Sequence, residues 1–421
     1  MKRQTTVSIA VLLAALSPMA MASAVRAAPT EPAATTNAVI RWDLNTQTAV
    51  WDIGQQLPWF QGRSFAMVSG AVYDAVNAIA GTPYKPLLVA PRATGRESTD
   101  AAVATAAYRV LDDIFPAQAE RLRAQYDQDL AAVPDGPAKR GGVEIGSRTA
   151  DAMIAARRDD GFEGNEQWRL GTEPGQWRPT PPTFASTGAW IGSARPFLVP
   201  NAAMFRTDGP PALTSRAYAR DFNEVKQVGS ANSTVRTQDQ TEAAIWWHDR
   251  NVTLWEIKRQ LAETQRLDVL QTARLFALTD TVTADQSIAC YDDKRRWGFW
   301  RPVTAVREAG TDGNPRTEAD PEWTPLLVTP PFPDHPSGHA CATAAQMTTY
   351  RFFFGRDRVA FHAYSIASGT TRHFGSFSQA LDELVSARVW GGIHFRSADV
   401  QGAKLGTAVS KHITARYFTK R

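Results

Sequence analysis

Three short segments, met in order along the chain, hold the residue types from which a site for a tetrahedral anion can be built. The first, KRRWGFWRP, carries Lys294 and Arg301-Pro302. The second, PPFPDHPSGHACATAA (330–345), places Ser337, Gly338 and His339 where a proline-pinned approach opens into an Ala/Cys/Met-rich run. The third runs from Ser386 through Ala387, Arg388, Gly391 and Gly392 to His394, with Asp399 just beyond. A lysine supplies a point charge, arginines supply guanidinium forks, and a helix N-terminus supplies backbone donors. An imidazole can bond the central atom or carry a proton.

Of the seven histidines, His339 and His394 stand out by these surroundings. His335 reads either as a neighbour bonding near the pocket or as a side chain leaving for solvent, and the others read as structural or surface groups. Lys294, Arg301 and Arg388 have a plainer reading as solvated charges. Trp297, Phe299, Trp300 and Trp390 around them point instead to partial burial, and buried cations call for an anionic partner.

The elements that must position these groups are helical. Ser337 is placed to cap a helix over 340–354, and Gly338 lets an anion approach its first N–H groups. Lys294 and Arg301 are seven residues apart, two helical turns, which predicts that both point the same way. An unbroken helix would put Arg388 and His394 on different faces, so Gly391-Gly392 is expected to break it. Cys290 lies four residues before Lys294 and Cys341 two residues after His339. They read equally as one disulfide in an oxidising compartment or as two small buried thiols.

Lys-x6-Arg-Pro, Pro-Ser-Gly-His and Arg-x5-His resemble the three signature motifs of the vanadium-dependent haloperoxidases, whose site is shared with type-2 phosphatidic acid phosphatases and bacterial class A acid phosphatases. The likeness covers roughly 288–402, and IACYDDK, FWRPVTAVRE and GGIHFRSAD are most similar to the soluble bacterial haloperoxidase-like branch. It implies that Lys294, Arg301, Ser337, Gly338 and Arg388 hold the oxyanion. It also implies that His394 is the vanadate ligand, or the nucleophile of a phosphatase, and that His339 is the acid–base.

Two departures stand out. The usual Ser-Arg pair is Ala387-Arg388, with a serine only at 386. The carboxylate that the phosphatases carry four residues after the histidine is displaced, from Ala398 to Asp399. That displacement favours vanadate, because a metal-ligating imidazole can be oriented by other acceptors.

The resemblance therefore implies a vanadate cofactor, with hydrogen peroxide and halide as substrates and a hypohalous-acid-type product. Phe332 and Tyr291 are candidates for tuning halide access. The alternative in the same pocket is a phosphomonoesterase working through a phosphohistidine, without vanadate. A third reading is a silent oxyanion-binding protein.

Residues 1–27 have the three regions of a secretory signal peptide: Lys2-Arg3, an apolar core from Val7 to Leu16, and Ala22-Ser23-Ala24 or Val25-Arg26-Ala27 as cleavage sites. A soluble periplasmic or secreted protein is expected. The 421 residues carry a formal charge of only +4 without a basic run, which argues against nucleic acid. No later stretch is apolar for long enough to suggest a membrane span.

Periodic apolar positions predict helices over 65–79, 101–114, 117–132, 142–158, 215–226, 238–256 and one long helix leading into Lys294. The segment 161–214, rich in Pro, Gly and Trp, breaks the pattern. Trp177 and Trp190 in it read as a substrate entrance or, more simply, as aromatic clamps. No repeat of fixed period is visible. The expectation is an all-α fold of haloperoxidase/acid-phosphatase bundles with long Pro/Trp-rich loops. An N-terminal scaffold and covering loop would span 28–214, and a C-terminal catalytic bundle 215–421.

Overall fold

The computed structural model describes residues 37–249 and 252–421, with only the backbone of Val252. The expected leader lies outside the described residues. The chain opens with α1 (Ala38–Gln47), α2 (Pro58–Ile79), α3 (Thr99–Ile114), α4 (Ala119–Ala131) and α5 (Pro137–Arg157). After an irregular stretch come α6 (Arg216–Val228), α7 (Gln238–Trp246) and α8 (Val252–Thr264). The motifs sit on or between α9 (Val269–Trp297), α10 (Pro302–Arg307), α11 (Gly338–Phe354), α12 (Phe377–Trp390) and α13 (Arg396–Thr414). A hairpin of β1 (Phe361–Ser365) and β2 (Thr370–Phe374) is the one sheet among the described residues. The fold is all-α, as expected. No helix among the described residues is long and apolar enough to cross a membrane.

Local chemistry explains most boundaries. Ser98, Ser215, Ser337 and Ser376 each accept an N–H from the first turn they cap. Asp268 opens α9 with a capping box to Gln271, and Gly298 closes it in the left-handed conformation. Two readings needed correction. The helix expected over 238–256 is two, because α7 ends at Trp246 and a turn through Trp247 and His248 follows. The second is the β-hairpin, absent from the helical reading because its five-residue strands are too short to show a clear period.

No repeat is legible in the sequence, yet two bundles are built on one plan. α2 with α3, α4 and α5 forms the first; α9 with α11, α12 and α13 forms the second; α2 packs along α9 to join them. In the first bundle, Gly142 and Gly146 let α5 approach α3 so closely that an added Cβ would lie 2.3 Å from Ser98 O and 2.4 Å from Ala102 O. In the second, Gly402 and Gly406 do the same for α13 on α11, at 2.6 Å from Ser337 O and 2.0 Å from Cys341 O.

α2 and α9 each carry a buried aspartate that gathers the backbone of a neighbouring loop. Asp74 accepts the N–H groups of Leu87, Leu88 and Val89 at 2.6–2.9 Å. Asp285 accepts those of Phe197, Leu198 and Val199 at 2.5–2.8 Å. Only the second bundle carries the motif residues.

Candidate active site

Lys294 lies near the C-terminus of α9. Its ammonium donates to the carbonyls of Pro333 (2.8 Å), Asp334 (3.2 Å) and Pro336 (2.5 Å), so it folds the Pro-rich segment over itself. Arg301 is not two turns further along the same helix. α9 stops at Trp297, the chain reverses at Gly298, and Arg301 is the residue that precedes α10. The two cations converge through this turn, not through helical spacing.

Arg301 donates from Nε to Phe332 O at 2.8 Å and from Nη1 to Ile393 O at 2.7 Å. Arg388, in the last turn of α12, donates from Nη1 to Trp247 O at 3.1 Å. The expected break follows. Gly391 ends α12, and Gly392 takes φ +74° with an added Cβ only 2.3 Å from Gly229 O, which brings His394 to the same pocket as Arg388.

His394 is fixed from both sides. Nδ1 lies 2.8 Å from Asp334 Oδ1, and Nε2 lies 3.1 Å from Arg301 Nη1. A guanidinium can only donate, so Nε2 accepts and Nδ1 carries the proton toward Asp334. Burial, Arg301, Lys294 and Arg388 hold His394 well below its ordinary pKa, which keeps the ring neutral with Nε2 as its unprotonated nitrogen.

The carboxylate that orients the ring therefore comes from Asp334, in PFPDHPSGH, and not from the C-terminal side of the histidine. Asp399 instead lies beside the Ser337 hydroxyl and Arg388. Sequence reasoning missed Asp334. Its only signal was its place between the prolines that precede the capping serine.

Ser337 accepts the Ala340 N–H, and its own N–H bonds Ala398 O at 2.9 Å. The Gly338 and His339 N–H groups of the first turn remain available. His339 faces the pocket edge with its ring parallel to that of His248, centroids 6.3 Å apart. Burial, then Arg388 and His248, hold it well below the usual histidine range.

His335 does not join the cradle. It pairs through Nε2 with Thr207 Oγ1 at 3.0 Å, and that hydroxyl donates to Asp293 at 2.6 Å. Ser386 is likewise turned away, accepting from Arg396 at 3.1 Å. The Cys290 and Cys341 sulfurs are 3.0 Å apart as buried free thiols.

Phe332 lies against both cations, 5.1 Å from Lys294 Nζ and 5.2 Å from the Arg301 guanidinium carbon. Tyr291 backs it at 5.5 Å, and Trp59 backs Tyr291 at 5.4 Å. Trp177 is a buried clamp of this aromatic wall, and Trp190 bonds Phe162 O at 2.8 Å on its partly buried flank.

Whether this cradle suits an oxyanion is decided by what it leaves unsatisfied. Among the described residues, Arg301 Nη2, Arg388 Nε and Arg388 Nη2 are buried donors without a hydrogen-bond partner. Three buried cations, Lys294, Arg301 and Arg388, face two buried carboxylates, Asp334 and Asp399. Burial pushes Lys294 down to about 8, Arg388 to about 9 and Arg301 to about 10, and raises Asp334 to about 7. Each of these shifts reports a charged form short of compensation, and a bound anion would supply it to the cations. The space is there too: a Cβ on Gly338 would meet only Lys294 Cε, at 4.0 Å. The donor set fits vanadate as it fits phosphate. It offers one imidazole and many hydrogen-bond donors, and among the described residues no group of three or more His, Cys, Asp or Glu forms a cation cage.

Residues 274–420 match the family described as VCPO second helical-bundle domain. Over those residues the chain falls in the vanadium-dependent haloperoxidase/type-2 phosphatidic acid phosphatase superfamily. The vanadium chloroperoxidase of Curvularia inaequalis is 29% identical over a match that takes in 34% of this chain and 29% of that protein. The chain thus spans under a third of this curated relative's length.

Among solved structures of the superfamily, a bacterial vanadium-dependent iodoperoxidase superposes with a TM-score of 0.76 at 23% identity, covering 91% of this chain and 97% of that one. A holo-type bacterial vanadium-dependent chloroperoxidase gives 0.67 at 18% identity, covering 85% and 91%. At these identities the superpositions establish the haloperoxidase helical fold.

Proposed function

We propose that this pocket holds vanadate and that the protein is a vanadate-dependent haloperoxidase, oxidising halide with hydrogen peroxide to a hypohalous-acid-type species. The observation that carries the reading is the depth of the cradle. Lys294, Arg301, Ser337 and Arg388 are 0% exposed and His394 1%, and of the cradle groups only Gly338 and His339 open partly outward. Peroxide and halide are small enough for such a site. A phosphomonoester must also seat its alcohol there.

In this reading His394 would bond the central atom through Nε2, with Asp334 holding Nδ1. Arg301, Arg388, Ser337 and the Gly338 N–H would hold the oxygens, and Lys294 would set positive charge behind them. Bound vanadate supplies Lewis-acid activation of peroxide toward two-electron oxidation of a halide. The protein's own part is to hold charge and move a proton. Neutral His339 takes up a proton released by peroxide and returns it to the departing oxygen. Arg301 and Arg388 stabilise negative charge as it develops on that oxygen. Phe332 covers Lys294 and Arg301 and limits water at them.

One observation favours the phosphomonoesterase as a second reading. Asp334 holds the Nδ1 proton and so leaves Nε2 with a lone pair, as an in-line nucleophile requires. The displaced Asp399 therefore no longer separates the two chemistries.

A vanadate titration of the purified protein, followed by dye bromination and by p-nitrophenyl phosphate hydrolysis, separates them. Bromination that rises with vanadate and disappears in His394→Ala supports the haloperoxidase. Hydrolysis from the outset, suppressed by vanadate and without bromination, makes the protein a phosphatase. Vanadate binding with neither activity makes it a silent binder. Export through the leader belongs to the same proposal, and N-terminal sequencing should find the mature chain starting after Ala24 or Ala27.

A further inference from the structure

Away from the cradle, two more histidines are brought together by the β-hairpin. His362 pairs in register with His373. Strand alternation sends both outward, while Phe361, Ala363, Ser365 and Phe374 face the core. Their ring centroids are 5.1 Å apart and their planes 30° from parallel.

When two imidazole nitrogens each lie about 2.0–2.1 Å from one tetrahedral cation, the ring centres stand roughly 5 Å apart. The pair already has that separation, and exposed rings reach a common point by rotating about their own side-chain bonds. One ring is also steadied from α8. Gln260 Oε1 accepts the His362 N–H at 2.9 Å, and its Nε2 lies 3.2 Å from the His362 Nε2. Glu256, one turn earlier on α8, accepts the Tyr364 N–H and sets a carboxylate at the same edge of the hairpin.

We propose that His362 and His373 chelate a divalent first-row transition cation of the Cu²⁺/Zn²⁺ class, with solvent completing the coordination sphere. Neutral imidazoles select such borderline cations over Ca²⁺ or Mg²⁺, which prefer oxygen donors, and Cu²⁺ binds tightest in the series. The site stands on residues separate from the anion cradle and is independent of the activity proposed above.

The test is titration of the full-length protein with Cu²⁺, read by electron paramagnetic resonance. The expected result is one tight equivalent with hyperfine coupling to two imidazole nitrogens, displaced by excess Zn²⁺ and untouched by Ca²⁺. His362→Gln and His373→Gln should each weaken it at least tenfold, and His412→Gln on α13 should not. Circular dichroism and vanadate affinity should be the same in the double variant, since both side chains are exposed. Absence of saturable binding in the parent protein, or its survival in the double variant, overturns the proposal.

Discussion

His394 Nδ1 lies 2.8 Å from Asp334 Oδ1, with both side chains at most 1% exposed. This contact ties the second motif to the third and leaves Nε2 as the His394 nitrogen turned away from Asp334. Replacing Asp334 by Asn keeps the shape but removes the charge that holds the Nδ1 proton. Vanadate affinity should fall roughly 10–100-fold, the usual cost of losing an outer partner of a ligating histidine. Isothermal titration with vanadate measures this directly. Unchanged affinity would remove Asp334 from the site.

The Lys294 ammonium gives the site a pH limit. Burial lowers it from 10.5 to about 8, and anion binding takes the protonated form. Affinity should therefore hold below pH 8 and fall about tenfold per unit above it. Lys294→Arg, whose guanidinium holds its proton more tightly than an ammonium, should move that slope to higher pH while sharing any slope due to the anion itself. In the empty protein the sign is opposite. Between about 8 and 10.5 the unfolded chain holds more protons at this residue than the folded one, so stability from this group rises with pH.

Gly338→Ala tests where the anion lies. The new methyl would meet only Lys294 Cε at 4.0 Å, so the empty protein should melt at its normal temperature. An anion seated against the first turn of α11 would collide with that methyl, and affinity should drop about 10–100-fold. Retained affinity would place the anion elsewhere.

Asp285 is the keystone of the loop over α9. Asp285→Ala strands the buried N–H groups of Phe197, Leu198 and Val199. The expected loss is about 3 kcal/mol or more in urea unfolding, since each unsatisfied buried donor costs about 1–3 kcal/mol. Asp74→Ala should cost the first bundle a similar amount. Its contacts are with Leu87, Leu88 and Val89, remote in sequence from every motif residue.

The chemistry of the cradle was legible because it is written in short-range order. Ser337 caps the helix that starts one residue later, Gly338 and His339 occupy its first turn, and Gly391-Gly392 interrupts α12 directly after Arg388. Capping and chain breaking depend on immediate neighbours, so residue type alone fixes them. Convergence across long separations was not legible. Arg301 meets Lys294 through a reversal at Gly298, and Asp334 finds His394 sixty residues away. The same holds for the duplicated bundle plan. Its glycine and aspartate contacts join segments whose sequences share no fixed period, and only packing reveals that they do the same work.

Sequence by itself determined the helical class, the caps and breaks, and the set of charged groups available for an anion. Tertiary structure decided which carboxylate serves which partner: Asp334 with His394, Asp399 with Ser337 and Arg388. The physical reason is burial. Which ionised groups must compensate one another is set by which of them lose water together, and that follows from the packing of whole helices.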